Sequence, residues 1–250
     1  MRRFFVPHID ISKKESTISD PIQAHHIKDV LRFKQKDKIQ IFDADANEYE
    51  CLIKSLDSKR IVVTDLKLIK TRVKENMPIN ITLACAIPKK GKFDYIVEKS
   101  TELGVDSIIP MITERSIIKL DRLASDNKLA RWQRIAIEAS KQCARLDVPK
   151  IENPKRFDDI IRQSGEFDAL LLPNLSSRER SPIIRVTDEL GAKRNILLLI
   201  GPEGDFSEKE LTLAATKNAT MLTLGETVLK VETAAIVCVA FLCLHLKNRT

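Results

Sequence analysis

The chain has 250 residues, 43% of them hydrophobic, which is enough to bury one large core or two modest ones and excludes a disordered polymer. Lys plus Arg number 42 against 35 Asp plus Glu, and the formal charge of +7 favours a polyanionic partner, although such an excess also serves plain solubility. The longest apolar run, 234–244, falls well short of the roughly 20 residues a bilayer crossing needs, and the opening MRRFFVPHID is too short in apolar residues for a secretory signal, so no membrane partner is expected.

The first seventy or so residues read as β. Lys38 to Phe42 alternates, Glu48 to Ile53 alternates more weakly, and Ile61 to Leu66 is β-branched, with polar turns at 43–47 and 57–60 between them. Between Asp20 and Arg32 lies a short helical stretch with Ile27, Val30 and Leu31 on one face. A small barrel with one short helix is the economical picture. The charged stretch 67–78, closed by Pro78, marks a boundary: residues 1–72 form the first domain, 73–78 a linker and 79–250 the second domain.

From Ile79 the pattern becomes strands alternating with helices. Strands are expected at 79–87, 106–112, 169–172 and 196–200, and helices at 92–103, closed by Gly104, and at 126–144. The continuous apolar runs suit strands covered on both faces, so the second domain is α/β with a mainly parallel sheet.

The sharpest local signal is Ile196 to Ser207, where a buried strand runs into Gly201-Pro202-Glu203-Gly204 and a helix starts at Ser207. Ser207 and Glu210 make a capping box. Ligands of open α/β sheets bind at the carboxyl ends of strands, and glycines there let a ligand approach the backbone, although a tight turn would read the same way. A second strand ends at Leu224-Gly225, and Leu229 to Thr233 leads into an apolar terminal helix with Thr233 as a plausible N-cap. Lys230 and Glu232 are charges beside that helix, either functional or merely solvated.

Several classes drop out. Asp43, Asp45 and Asn47 start like a calcium loop, but Glu48 stands where the turn needs Gly and Lys54 where a bidentate Glu is required. The histidines are adjacent (His25, His26) or isolated, and the five cysteines are scattered without a C-x-x-C pair, so no metal site and no disulfide framework is expected, and a reducing cytoplasm is. Neither a dinucleotide G-x-G-x-x-G after a strand nor a P-loop is present. Basic residues cluster at Arg2 and Arg3, from Lys28 through Arg32 to Lys38, and at Lys89, Lys90 and Lys92, where they are candidates for phosphate contact. Phe4 and Phe5 are read as core rather than as a base-stacking pair.

Taken together, these segments resemble the family of small-subunit ribosomal RNA uridine-N3 methyltransferases (ribosomal RNA small subunit methyltransferase E, RsmE) in the knotted SPOUT class. The matching stretches are 2–6, 25–32, 89–104 (KKGKFDYIVEKSTELG), Arg131-Trp132 with Glu138, Ala139 and Gln142, then 201–204, 224–225 and 229–234. The resemblance implies a PUA-like β-barrel preceding a SPOUT α/β-knot (trefoil knot) domain, S-adenosylmethionine as cofactor, small-subunit (16S) ribosomal RNA as partner, a homodimer and a cytoplasmic location. It also implies that the cofactor lies against three loops, carried here by Leu172 and Pro173; by Ile200, Gly201, Pro202, Glu203 and Gly204; and by Leu224, Gly225, Leu229, Val231, Glu232 and Thr233. Lys230 and Glu203 are the catalytic candidates, as a cation for the uracil anion and as a proton acceptor or orienting group. Arg2, Arg3, Arg32, Lys89, Lys90 and Lys92 are the RNA candidates.

The chain departs from the family pattern at Asp205, where a second glycine is usual, at Lys230, where arginine is usual, and at Cys143-Ala144, where Ser-Gly is usual. A ribose 2′-O methyltransferase of the same class is the near alternative, but its Asn-x-x-x-Arg motif has no counterpart in 90–103. A non-catalytic RNA-binding assembly factor is the other, and the intact 201–204 loop speaks against it.

Overall fold

The computed structural model describes residues 3–72, 79–89, 91–116, 122–175 and 180–247. The expected linker, Arg2 and Lys90 lie outside the described residues. The chain divides into two compact units, Met1–Lys74 with Ser140–Val148, and Glu75–Ala139 with Pro149–Thr250.

The first unit carries β1 (Arg3–Phe5), β2 (Glu15–Ile18), a short helix α1 (Pro21–His25), β3 (Lys38–Phe42), β4 (Asn47–Leu56) and β5 (Ile61–Thr71). The sheet order is β1-β3-β4-β5-β2, antiparallel except for β1 beside β3. Register shifts along β4–β5 bend this long hairpin around a core of Phe4, Ile18, Ile27, Ile39, Ile41, Tyr49, Ile53 and Val63. Strand β5 runs five residues beyond the expected Leu66 because Lys67–Thr71 continue to pair with Asn47–Glu50. The turn at Asp43 is a hairpin turn, with Asp43 Oδ1 accepting the N–H groups of Asp45 and Asn47 at 3.0 and 2.9 Å.

Helix α1 starts on Asp20, whose carboxylate accepts the Ile22 N–H at 2.9 Å, and passes into a π-helical turn at His26–Val30. That wider turn changes which residues face inward. Ile27 is fully buried, but Val30 and Leu31 are 57% and 40% exposed, contrary to the single apolar face expected.

Contrary to expectation, Arg3 does not present its charge to solvent for RNA. It is 1% exposed, its guanidinium lies 3.9 Å over the Phe42 ring, Nε pairs with Glu48, and Nη1 and Nη2 donate to the carbonyls of Ser140 and Arg145. Every side of the planar group is used within its own unit, tying the sheet to Ser140–Val148. Phe4 is likewise buried.

The second unit runs β6 (Asn80–Ala86), α2 (Lys92–Leu103), β7 (Ser107–Ile112), α3 (Arg122–Gln142), β8 (Lys150–Ile151), β9 (Lys155–Arg156), α4 (Phe157–Arg162), β10 (Ala169–Pro173), β11 (Ser181–Pro182), α5 (Ile183–Glu189), β12 (Asn195–Ile200), α6 (Glu208–Ala215), β13 (Thr220–Thr223) and α7 (Val231–Leu246). Its sheet order is β11-β13-β10-β12-β6-β7-β8, with β9 also on β7, and every pairing is parallel. Strands β6, β10 and β12 are buried along almost their whole length, as continuous apolar runs require. Helix α2 stops at Gly104, whose φ of 101° suits the left-handed cap. Helix α3 begins four residues earlier than expected and ends at Gln142.

Removing one member of the buried Arg3 cluster strands the others. Arg3→Ala is expected to cost about 3–5 kcal/mol of stability in chemical denaturation, whereas Arg3→Met combined with Glu48→Leu should recover only the part due to the stranded carboxylate, since the Ser140 and Arg145 carbonyls still lose their donor. A surface arginine would give less than about 1 kcal/mol.

Candidate functional site

Because β10, β12 and β13 are parallel neighbours, their carboxyl ends emerge along one edge of the sheet. The segments that follow (Pro173–Leu175, Gly201–Glu203 with Asp205, Leu222–Gly225, Thr227–Leu229 and Val231) line an open cleft. Its walls include Ile200, Leu222, Leu224, Leu229 and Val231, and the large apolar side chains of Leu175 and Val228 stand 50% and 73% exposed there. Such apolar exposure around a concave surface suits a ligand-covered site.

The loops are held by a few polar contacts. Asp205 sits at φ 60°, a left-handed position that Asp tolerates better than most residues. Its Oδ1 accepts the Phe206 N–H and its Oδ2 accepts the Leu175 N–H, both at 2.9 Å, so one carboxylate joins the loop after β12 to the loop after β10. Arg180 Nη1 donates to the Asn174 carbonyl at 3.0 Å, and Arg115 Nη1 donates to the Gly204 carbonyl at 2.6 Å. The capping box forms as expected: Ser207 and Glu210 bond each other's backbone N–H, and Glu210 also accepts the Glu114 N–H at 2.9 Å.

The two glycines expected to admit a ligand differ in role. A Cβ on Gly201 would lie 2.9 Å from the Phe206 ring, so the missing side chain makes room for the protein's own core. Gly225 is different. Its φ is 115° and a Cβ there would meet nothing within 4 Å, so it is required for its backbone shape and faces open space.

Charges gather beside the cleft. Lys92 Nζ pairs with Glu232 at 2.6 Å, and Glu203, which lines the cleft, accepts the Lys89 N–H at 3.5 Å. Burial pushes the Glu232 carboxyl up, but the Lys92 hydrogen bond, its own backbone N–H and the charges of Lys92 and Lys230 outweigh it and hold the group below the usual range. Cys85, at the end of β6, is fully buried, and burial together with the charges of Glu203 and Glu232 pushes its thiol far up. A thiol so held is neutral and no nucleophile.

Of the residues expected at the cofactor site, Pro173, Ile200, Gly201, Pro202, Glu203, Leu224, Gly225, Leu229 and Val231 line the cleft. Leu172 is buried in the core beneath it, Gly204 packs against Arg115, and Glu232 is paired with Lys92. Thr233 is exposed in the first turn of α7 and is not its N-cap; that position belongs to Lys230, because the helix starts at Val231. Lys230 is exposed and outside the lining. Among the RNA candidates, Arg32 and Lys89 are exposed, and Lys92 is half-buried by its ion pair. Arg180, Asn174, Leu175 and Asp205 line the cleft without having been assigned to it. Asn174 and Leu175 had for a signal their place just after β10, Asp205 its departure from the family pattern, and Arg180 none. Among the described residues no cluster of metal-ligating side chains occurs and no helix is long and apolar enough to cross a membrane.

Comparison with known proteins adds a second line. Residues 75–243 match the model of the RNA methyltransferase domain family, and residues 20–66 that of the RNA methyltransferase PUA domain. The chain is 31% identical to ribosomal RNA small subunit methyltransferase E of Rickettsia conorii and 29% identical to that of Bacillus subtilis, in both cases over 86% of this chain and 84% of the relative. A solved Legionella pneumophila protein in complex with the bound cofactor SAM superposes with a TM-score of 0.84 at 28% identity, covering 98% of this chain and 97% of that one. The ribosomal RNA small subunit methyltransferase E of Neisseria gonorrhoeae bound to S-adenosyl methionine gives 0.80 at 28% identity, covering 97% and 96%.

Two expectations follow from the geometry. A carboxylate held below its ordinary value near 4.5 stabilises the fold above that value and gives the contribution up as pH falls through the folded value. Stability measured from about pH 5 down to about pH 3 should therefore fall more steeply in the native protein than in Glu232→Gln. Gly225→Ala forces a side chain into a left-handed turn at a cost of about 1–3 kcal/mol, and ligand affinity read by calorimetry should fall about tenfold or more.

Proposed function

Because this chain belongs to the family of ribosomal RNA small subunit methyltransferases E, we propose that it methylates N3 of a uridine in small-subunit ribosomal RNA, using S-adenosylmethionine bound in the cleft at the ends of β10, β12 and β13. The cleft fits such a molecule: apolar walls suit an adenine, and backbone at a positive-φ glycine allows close approach. The bound cofactor supplies an electrophilic methyl group; the residues of the chain supply position and charge.

Attack by N3 needs a deprotonated imide and an in-line approach, so orientation carries much of the rate. Glu203, at the cleft wall, accepts the imide proton or orients the base. Lys230, with the N-terminus of α7 behind it, stabilises the uracil anion. The observation that carries nitrogen over carbon as the acceptor is Cys85. Methylation of a pyrimidine carbon calls for a nucleophile that first adds to the ring, and this thiol is fully buried and outside the lining of the cleft.

The first unit serves RNA, with Lys28, Arg32, Lys34 and Lys36 exposed on one continuous stretch. A second copy of the chain is its partner. Helix α7 is apolar on all sides, yet Val237 and Leu244 are 43% and 63% exposed, with Ala240 and Phe241 half-buried on the same stripe. An isologous dimer covers such a stripe. The five cysteines stand as free thiols, which supports a cytoplasmic location.

Incubation with labelled S-adenosylmethionine and unmodified small ribosomal subunits should place the label in 3-methyluridine; label in ribose or in a base carbon contradicts the reading. Lys230→Ala should lower turnover more than cofactor affinity, and equal loss of both would leave it a binding role alone. Light scattering should give twice the 28.4 kDa chain mass, falling to one chain in Val237→Lys with Leu244→Lys.

A further inference from the structure

Among the described residues lining the cleft, Arg180 has the one Lys or Arg side chain, against the carboxylates of Glu203 and Asp205. Asp205 is committed to the backbone, since its two oxygens hold the N–H groups of Leu175 and Phe206. Arg180 spends a donor on the Asn174 carbonyl at 3.0 Å. The Asn174–Leu175 stretch is thus held from both sides, its carbonyl by Arg180 and its next N–H by Asp205. A guanidinium has five N–H donors in a rigid fork, so this bond orients the otherwise exposed side chain and leaves donors for a ligand. Lys230 lies outside the lining.

We propose that Arg180 is the carboxylate anchor of the methyl donor, taking the α-carboxylate of its amino-acid tail. A charged, two-pronged hydrogen bond in a half-enclosed apolar cleft is a strong contact, and carboxylate is the anion whose geometry the fork fits. The assignment rests on the cleft being the donor site.

The test is a calorimetric titration of the full chain and of Arg180→Gln and Arg180→Lys with S-adenosylmethionine, S-adenosylhomocysteine and 5′-methylthioadenosine, which lacks the tail. Arg180→Gln should weaken the first two about 10- to 100-fold and leave methylthioadenosine unchanged, with Arg180→Lys in between. Equal weakening of all three would make Arg180 a loop brace and overturn the proposal. Unchanged donor affinity with reduced turnover would also overturn it, by moving the guanidinium to the RNA base. If the native chain bound neither S-adenosylmethionine nor methylthioadenosine, the reading of the cleft itself would fall, whatever the variants did.

Discussion

Parallel pairing of β10 with β12 on one side and β13 on the other is the constraint on which the site depends. In a parallel sheet all carboxyl ends face one way, so three strand ends distant in sequence reach one edge together. The apolar runs 169–172 and 196–200 hold that arrangement because their side chains are buried on both faces. Nothing in the loops needs to be rigid by itself. Their roots are fixed by the core, and the backbone groups that emerge are presented at the same height.

Small local devices then shape the edge. Gly201 leaves the space that Phe206 fills, Phe206 packs its ring 5.3 Å from that of Phe157, and the chain is thereby folded down before the capping box starts α6. Asp205 takes a left-handed position that a glycine would occupy at no steric cost, and uses its carboxylate to join two loops that a glycine would leave unlinked. The departure from the family pattern at this position is therefore a gain of one cross-link at the expense of backbone ease. On the other side, Lys92 and Glu232 tie the start of α2 to the start of α7, next to the cleft. Lys247 does the same at the far end of α7, bonding the Gly104 carbonyl and Asp106.

Much of this was legible in the chain. Continuous apolar runs, the S-x-x-E box and Gly104 each act through local physics, and β6, α2, β12 and α6 fall within a residue or two of where those signals put them. The three loops were legible through resemblance to a family, since no periodicity tells which strand ends become neighbours. What stayed hidden was tertiary. A basic residue near the N-terminus looks like a phosphate ligand until Arg3 is found wrapped by Glu48, Phe42 and two carbonyls. Val30 and Leu31 look like core until a π-helical turn rotates them outward. Arg180 looks like one charge among several in a polar loop, and only the fold brings it to the cleft.

The central claim is that main-chain groups of three separate strand ends grip one small molecule together. Hydrogen exchange of the full chain with and without S-adenosylmethionine addresses it directly, because it reads backbone N–H groups in each loop separately. The account predicts that the ligand slows exchange concurrently in 173–175, 201–206 and 224–231. Protection confined to one of these segments, or centred on the separate groove beside Arg156 and Lys209, would contradict it.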